Sequence, residues 1–271
     1  VVHKNCGINA QSAGFFALII SRDTENSLPG LLIVSVKRLS NGIMQRIIII
    51  NTKGGCGKTT IATNLASLYA SQGFVTALMD YDPQGSSTRW LKLRPKDKQD
   101  IHGINAYQRQ SLQSTRAWQM RVPAETERLI IDAPAGVVGE ALHNFVQRVD
   151  TILIPVLPSP IDIHSATAFI KDLLLIGKVR SLGVRVGVIA NRTRKNTLVY
   201  QSLERFLTSL NLPFITSLRD TQHYVHAFER GIGIQEMWDK RVEQDKMSWD
   251  PIINWLENIN PGHAVLQRHF S

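Results

Sequence analysis

The feature that most restricts what this chain can fold into is the run Lys53-Gly54-Gly55-Cys56-Gly57-Lys58-Thr59-Thr60. An isoleucine-rich segment precedes it and a helical pattern follows it. A strand that turns on glycines into a helix is the setting of a phosphate-binding loop. The residue types have separate reasons. Gly54, Gly55 and Gly57 let backbone N–H groups curl around phosphate oxygens with no Cβ in the way. Cys56 stands where the loop needs a small side chain, and no His or second Cys lies near it in sequence to make it catalytic. The helix N-terminus adds a favourable dipole. Lys58 is placed to reach terminal phosphates as a point charge. Thr59 offers a hydroxyl to Mg²⁺, and Thr60 can donate to an inner phosphate. The rival reading is a glycine-rich turn without a ligand.

The rest of the chain is consistent with that setting. From Met44 onward, apolar, β-branched runs read as buried strands at 46–51, 75–80, 128–132, 151–155, 184–190 and 213–217. Helical patterns lie between them at 58–71, 136–148, 165–179, 197–210 and 221–230, with a last one at 248–258. This alternation predicts an α/β fold, a doubly wound and mostly parallel sheet flanked by helices. The polar stretch 94–113 reads as irregular and exposed. Residues 1–43 hold two short apolar runs without sustained periodicity and are expected to be an extension, artefactual or dispensable. The domain is then 44–258, with 259–271 as a tail after the helix-ending Pro261 and Gly262.

Composition narrows the functional classes. Of 271 residues 43% are hydrophobic and 20% charged, which argues against a disordered chain. Cys6 and Cys56 are too few for a disulfide framework, so a reduced, cytoplasmic setting is expected. No apolar run approaches a membrane span. The net charge is +9. Without residues 1–43 there remain 27 Lys and Arg against 20 Asp and Glu, a net +7, so the basic character belongs to the main domain. Such a balance favours an anionic partner.

Three carboxylates fall at predicted strand ends, where open parallel sheets bind ligands: Asp80, Asp82 and Asp132. Beside a phosphate loop they are best explained by Mg²⁺ and water. Asp132 ends an apolar strand and is assigned to the Mg²⁺ shell through water. Asp80 takes a metal-shell or loop-ordering role. His223 and His226, three apart on a helical pattern, read as surface or core histidines more readily than as a metal pair.

Lys53 is the informative departure. An ordinary phosphate loop has a glycine and four free positions before Gly-Lys-Thr. A lysine directly after the strand, followed by two glycines, resembles the deviant Walker A of the ParA/MinD family of P-loop ATPases. The segment Asp80-Tyr81-Asp82-Pro83-Gln84-Gly85-Ser86-Ser87 is similar to that family's second motif, and Leu129-Ile130-Ile131-Asp132-Ala133-Pro134-Ala135-Gly136 to its Walker B. The resemblance covers nearly all of 44–256.

It implies an ATPase using ATP and Mg²⁺. Lys53 would reach across a homodimer to the partner's nucleotide, and Asp82 would position the attacking water. Asn191 would read the adenine amino group. It also implies non-specific duplex DNA binding through basic residues late in the chain, with Arg219 the leading candidate and Arg192, Arg194 and Lys195 beside it. The short ParA type fits best: a nucleoid-associated protein that partitions or positions a cargo with a ParB-like or small adaptor protein. The broken C-terminus carries no long basic amphipathic helix, so no stable membrane association is expected. A MinD-like membrane-associated ATPase and a P-loop enzyme or insertase acting on a small molecule or metal are the alternatives.

Overall fold

A computed structural model describes residues 44–107, 122–194, 197–209 and 212–258. The expectations for 1–43, 259–271 and Lys195 lie outside the described residues, as does the 108–113 end of the polar stretch.

Seven strands form one sheet: β1 Gln45–Ile49, β2 Thr76–Asp80, β3 His102–Asn105, β4 Arg128–Asp132, β5 Thr151–Val156, β6 Arg185–Thr193 and β7 Phe214–Arg219. Their order is β3-β2-β4-β1-β5-β6-β7, and every neighbouring pair is parallel. Parallel neighbours require crossovers, and helices supply them: α1 Lys58–Ser71, α2 Ser86–Leu93, α3 Gly139–Val146, α4 Pro160–Leu175, α5 Leu198–Ser209 and α6 His223–Glu229. Two short helices, α7 Glu243–Met247 and α8 Asp250–Leu256, close the domain.

Alternation along β1 separates two core layers. Ile47 and Ile49 face Ile61, Leu65 and Tyr69 of α1, with Trp90 of α2 and Trp249 and Leu256 near the C-terminus. Ile48 and Ile50 belong to the layer holding Phe169 and Leu173 of α4 and Leu203 of α5. Covered on both faces, β1 and β4 need apolar residues at successive positions, which is why their sequences run Ile-Ile-Ile and Leu-Ile-Ile.

Several sequence expectations need correction. The stretch from residue 94 is not wholly irregular or exposed. It supplies edge strand β3, and Ile101 and Ile104 are buried. The Arg94 side chain is only 6% exposed, its guanidinium paired with Glu236 at 2.8 Å. Helix α2 carries only two fully buried residues, Ser87 and Trp90, so it has little apolar signal to detect. Helix α4 begins at Pro160, earlier than expected, because Ser159 caps it and proline suits the first turn. The last expected helix, 248–258, forms as α8, and the separate short helix α7 ahead of it was not expected.

Candidate nucleotide site

After β1 the chain passes to β2 and β3 on one side, returns through β4 beside β1, and continues to β5 on the other side. The carboxyl end of β1 is therefore the topological switch point of the sheet, the place where such folds bind ligands. The loop 51–57 lies there.

Two asparagines hold this loop. Asn51 Nδ2 donates to the Pro155 carbonyl of β5 at 2.8 Å, and Asn51 Oδ1 accepts from Lys53 N–H at 3.0 Å. Asn191, near the end of β6, donates from Nδ2 to the Cys56 carbonyl at 2.9 Å. Both side chains are buried. Cys56 is buried as well, and its thiol faces the Lys53 carbonyl. Burial raises its pKa, keeping it a thiol. Gly57 has φ +94, and a Cβ there would come within 2.0 Å of Asn191 Nδ2. Only glycine fits on both counts.

Lys58 opens α1 and is buried, its Nζ donating to the Lys53 carbonyl at 3.1 Å. No side chain caps the N-terminus of α1, and its first turn carries no acidic residue. The positive end of the helix thus faces the loop uncompensated, a ready site for phosphate.

Asp132 ends β4 and is fully buried. Its Oδ2 accepts from Thr59 Oγ1 at 2.8 Å and from Ser87 Oγ at 2.7 Å. Its Oδ1 is buried with no hydrogen-bond partner. Burial pushes the carboxyl up to about 7, with Asp80 and Asp82 adding to the rise and the Ser87 and Thr59 hydroxyls opposing it. An orphaned buried carboxylate oxygen beside a threonine hydroxyl is a donor set that fits Mg²⁺, which takes hard oxygen ligands.

Asp80 is also buried, but its oxygens are committed locally. Oδ2 accepts from the N–H and hydroxyl of Thr88, both at 2.8 Å, and Oδ1 from Asp82 N–H at 3.0 Å. The carboxylate thereby fixes the turn that leads into α2. Asp82 is half-buried in that turn, and its Oδ1 accepts from Gln84 N–H.

The structure gathers Lys53, Gly54, Gly55, Cys56, Gly57, Lys58, Thr59, Thr60, Asp132 and Asn191 around one loop, with Asp80 and Asp82 on the adjoining strand end. Sequence reasoning missed Asn51 and Ser87. Ser87 had a usable signal, a hydroxyl four residues past the Asp82-Pro83 turn. Asn51 had none, since its role depends on a β5 carbonyl 104 residues away.

The described basic candidates, Arg192, Arg194 and Arg219, lie at the ends of β6 and β7. Arg192 and Arg194 both bond Asp220, the closest approach being 2.7 Å from Arg194. Arg194 first, then Arg192, holds the Asp220 carboxyl below its usual range. Arg219 and His223 share the fully buried Asp245, with Arg219 Nη2 at 2.9 Å and His223 Nδ1 at 2.6 Å. His223 is thus a carboxylate partner. Among the described residues no His, Cys, Asp and Glu cluster could hold a metal ion by itself.

A glycine-rich loop at a switch point, a buried lysine within it and a hydroxyl–carboxylate pair beside it define a P-loop nucleotide-binding protein. The chain belongs to the CobQ/CobB/MinD/ParA nucleotide-binding domain family, whose model matches residues 47–234. It is 26% identical over 191 residues to the maintenance of carboxysome distribution protein A of Halothiobacillus neapolitanus, covering 70% of this chain and 86% of that protein. It is 49% identical over 51 residues to the chromosome-partitioning ATPase Soj of Thermus thermophilus, covering 19% of this chain and 20% of Soj. Among solved structures, the ATP complex of a Cyanothece McdA variant superposes with TM-score 0.62 at 19% identity, covering 77% of this chain and 96% of that one. The MinD cell division protein of Aquifex aeolicus gives 0.63 at 20% identity, covering 80% and 98%. These structural likenesses establish the fold. No described helix is long and apolar enough to cross a membrane.

Proposed function

We propose that this chain is a Mg²⁺-dependent ATPase that ATP closes into a homodimer. The dimer binds duplex DNA without regard to sequence and partitions or positions a cargo, whether plasmid, chromosome or large protein body. A ParB-like or small adaptor protein activates it, and it works in the cytoplasm on the nucleoid.

The observation that carries this reading is the division of labour between the two loop lysines. Lys58 turns inward and is held at the Lys53 carbonyl, inside the phosphate cradle. Lys53 is half-exposed, and among the described residues no side chain pairs with its ammonium. A cation at the mouth of a phosphate loop is suited to a phosphate outside its own loop, as in a facing copy. There it would stabilise charge developing on the transferred phosphoryl group, the work of a finger supplied in trans.

The other residues take matching roles. Backbone N–H groups of 54–60 bind phosphate oxygens. Asp82 orients the attacking water. Thr59 and Asp132 would hold Mg²⁺, Asp132 through water, with Asp80 ordering the turn behind them. Bound Mg²⁺ would supply charge neutralisation between the outer phosphates. Asn191, whose amide nitrogen donates to the Cys56 carbonyl, is the candidate for the adenine amino group. Arg219, Arg192, Arg194 and Lys195 are the DNA candidates, acting as a group on phosphates. The name of the Halothiobacillus relative, which concerns carboxysome distribution, favours a protein body among the cargos.

The test is binding to non-specific duplex DNA with no nucleotide, ADP or ATP, at two salt concentrations. Wild type, Lys53→Ala and Asp82→Ala are compared. The reading expects ATP-dependent, salt-sensitive binding by wild type, the longest-lived binding by Asp82→Ala, and none by Lys53→Ala. DNA binding by no form in any nucleotide state sinks the positioning role and leaves the ATPase to be judged by phosphate release.

A further inference from the structure

Asn191 does something in this structure that adenine reading does not require. Its amide nitrogen, buried, donates to the Cys56 carbonyl at 2.9 Å. A trans peptide directs its carbonyl and the following N–H to opposite sides. Holding the Cys56 carbonyl toward β6 therefore turns the Gly57 N–H the other way, into the loop. That N–H is among the donors a phosphate cradle depends on.

The support behind Asn191 is rigid. Ala190 is paired with Val156 of β5. Just beyond, the β6–β7 register shifts between Ala190 and Thr193, and Arg192 takes φ +51 in the left-handed region. Thr193 then locks the irregularity, its hydroxyl donating to the Leu218 carbonyl and its own carbonyl accepting from Asp220 N–H. The irregular end of β6 brings Asn191 against the loop so closely that Gly57 has no room for a Cβ. With Asn51 tying the other shoulder to β5, the loop is suspended between two strands.

We propose that Asn191 is a positioning residue for the phosphate loop, fixing the Cys56–Gly57 peptide so that the Gly57 N–H faces the phosphates. This rests on the nucleotide-binding reading of the site. It assigns the side chain to the phosphate end of the ligand and makes its effect independent of the base.

The experiment measures equilibrium binding of Mg-ATP and Mg-ITP, whose base lacks the 6-amino group, with inorganic tripolyphosphate as a base-free competitor. Wild type, Asn191→Ala and Asn191→Asp are compared, the last keeping the shape but removing the donor. The expected result is a loss of roughly three- to tenfold for all three ligands in Asn191→Ala, with the ATP/ITP ratio unchanged. Asn191→Asp should lose more, because it sets an oxygen against the Cys56 carbonyl. Thermal melting of each variant separates a uniform affinity shift from an unfolded fraction. The inference is overturned if the variants bind ATP no better than ITP while tripolyphosphate competes as in wild type, since Asn191 then serves the base. Wild type that binds none of the three ligands overturns the nucleotide reading itself.

Discussion

The ammonium of Lys58 lies 3.1 Å from the backbone carbonyl of Lys53, so the loop's two lysines meet through one side chain and one main chain. Their charges are thereby kept for different tasks. Lys58→Ala should remove ATP binding by about tenfold to a hundredfold, the scale of a hydrogen bond to a charged group. Lys53→Ala should leave single-subunit ATP affinity within about twofold and lower kcat by on the order of 10³, the scale of a catalytic cation supplied in trans. Titration with labelled ATP and a phosphate-release assay read the two separately. Equal loss of affinity in both variants would refute the division.

Asp132 makes a pH prediction. In the folded protein its carboxyl is pushed up to about 7 by burial, whereas in the unfolded chain it titrates near about 4. Between those values the folded state holds the extra proton. Nucleotide-free stability should therefore fall as pH rises from about 4 to about 7, and level off above that as far as this group is concerned. Asp132→Asn removes the fall and should melt a few degrees higher than wild type at pH 8 without ligand. The same variant should lose the Mg²⁺-dependent part of ATP binding. Melting curves across pH, with and without Mg-ATP, check both signs.

The Arg94–Glu236 pair tests the edge of the domain. Each side chain is only 6% exposed. Burial raises the Glu236 carboxyl, but Arg94, Ser67 and the Gly233 N–H together hold it below its usual value. Arg94→Met strands a buried carboxylate and should cost about 3–5 kcal/mol in urea unfolding. Adding Glu236→Leu should recover most of that. A single variant as stable as wild type would show the pair to be dispensable.

Asp220 provides a test of the basic tip. If Arg192 and Arg194 contact DNA, Asp220→Asn releases both from their shared carboxylate. Non-specific DNA affinity in the presence of ATP should rise, and the slope of log K against log salt should steepen by up to about 0.9 for each phosphate gained. Unchanged affinity and slope would move the DNA surface elsewhere.

The sequence made the sheet and the phosphate loop readable for physical reasons. Strands buried on both faces must be apolar at every position, and Gly57 and Lys58 answer to local geometry. The missed elements lack such signals. Strand β3 is an edge with two exposed residues in four, and α2 reaches the core mainly through Trp90. The site divides the same way. Asp132 stood out because a charge ends an apolar run. Asn51 joins residues about a hundred positions apart, Arg192 and Arg194 pair with Asp220, 28 and 26 positions away, and Arg219 pairs with Asp245, 26 positions away.

Two guanidiniums that already grip one carboxylate are not a bare positive patch. A polyanion arriving at the β6–β7 tip must exchange with Asp220, so the tip resembles an ion exchanger with a built-in counterion. How readily Asp220 lets go sets its strength. Asp220 N–H is bonded to the Thr193 carbonyl, two residues from the asparagine that holds the phosphate loop, so the exchange would take place close along the chain to that loop's support.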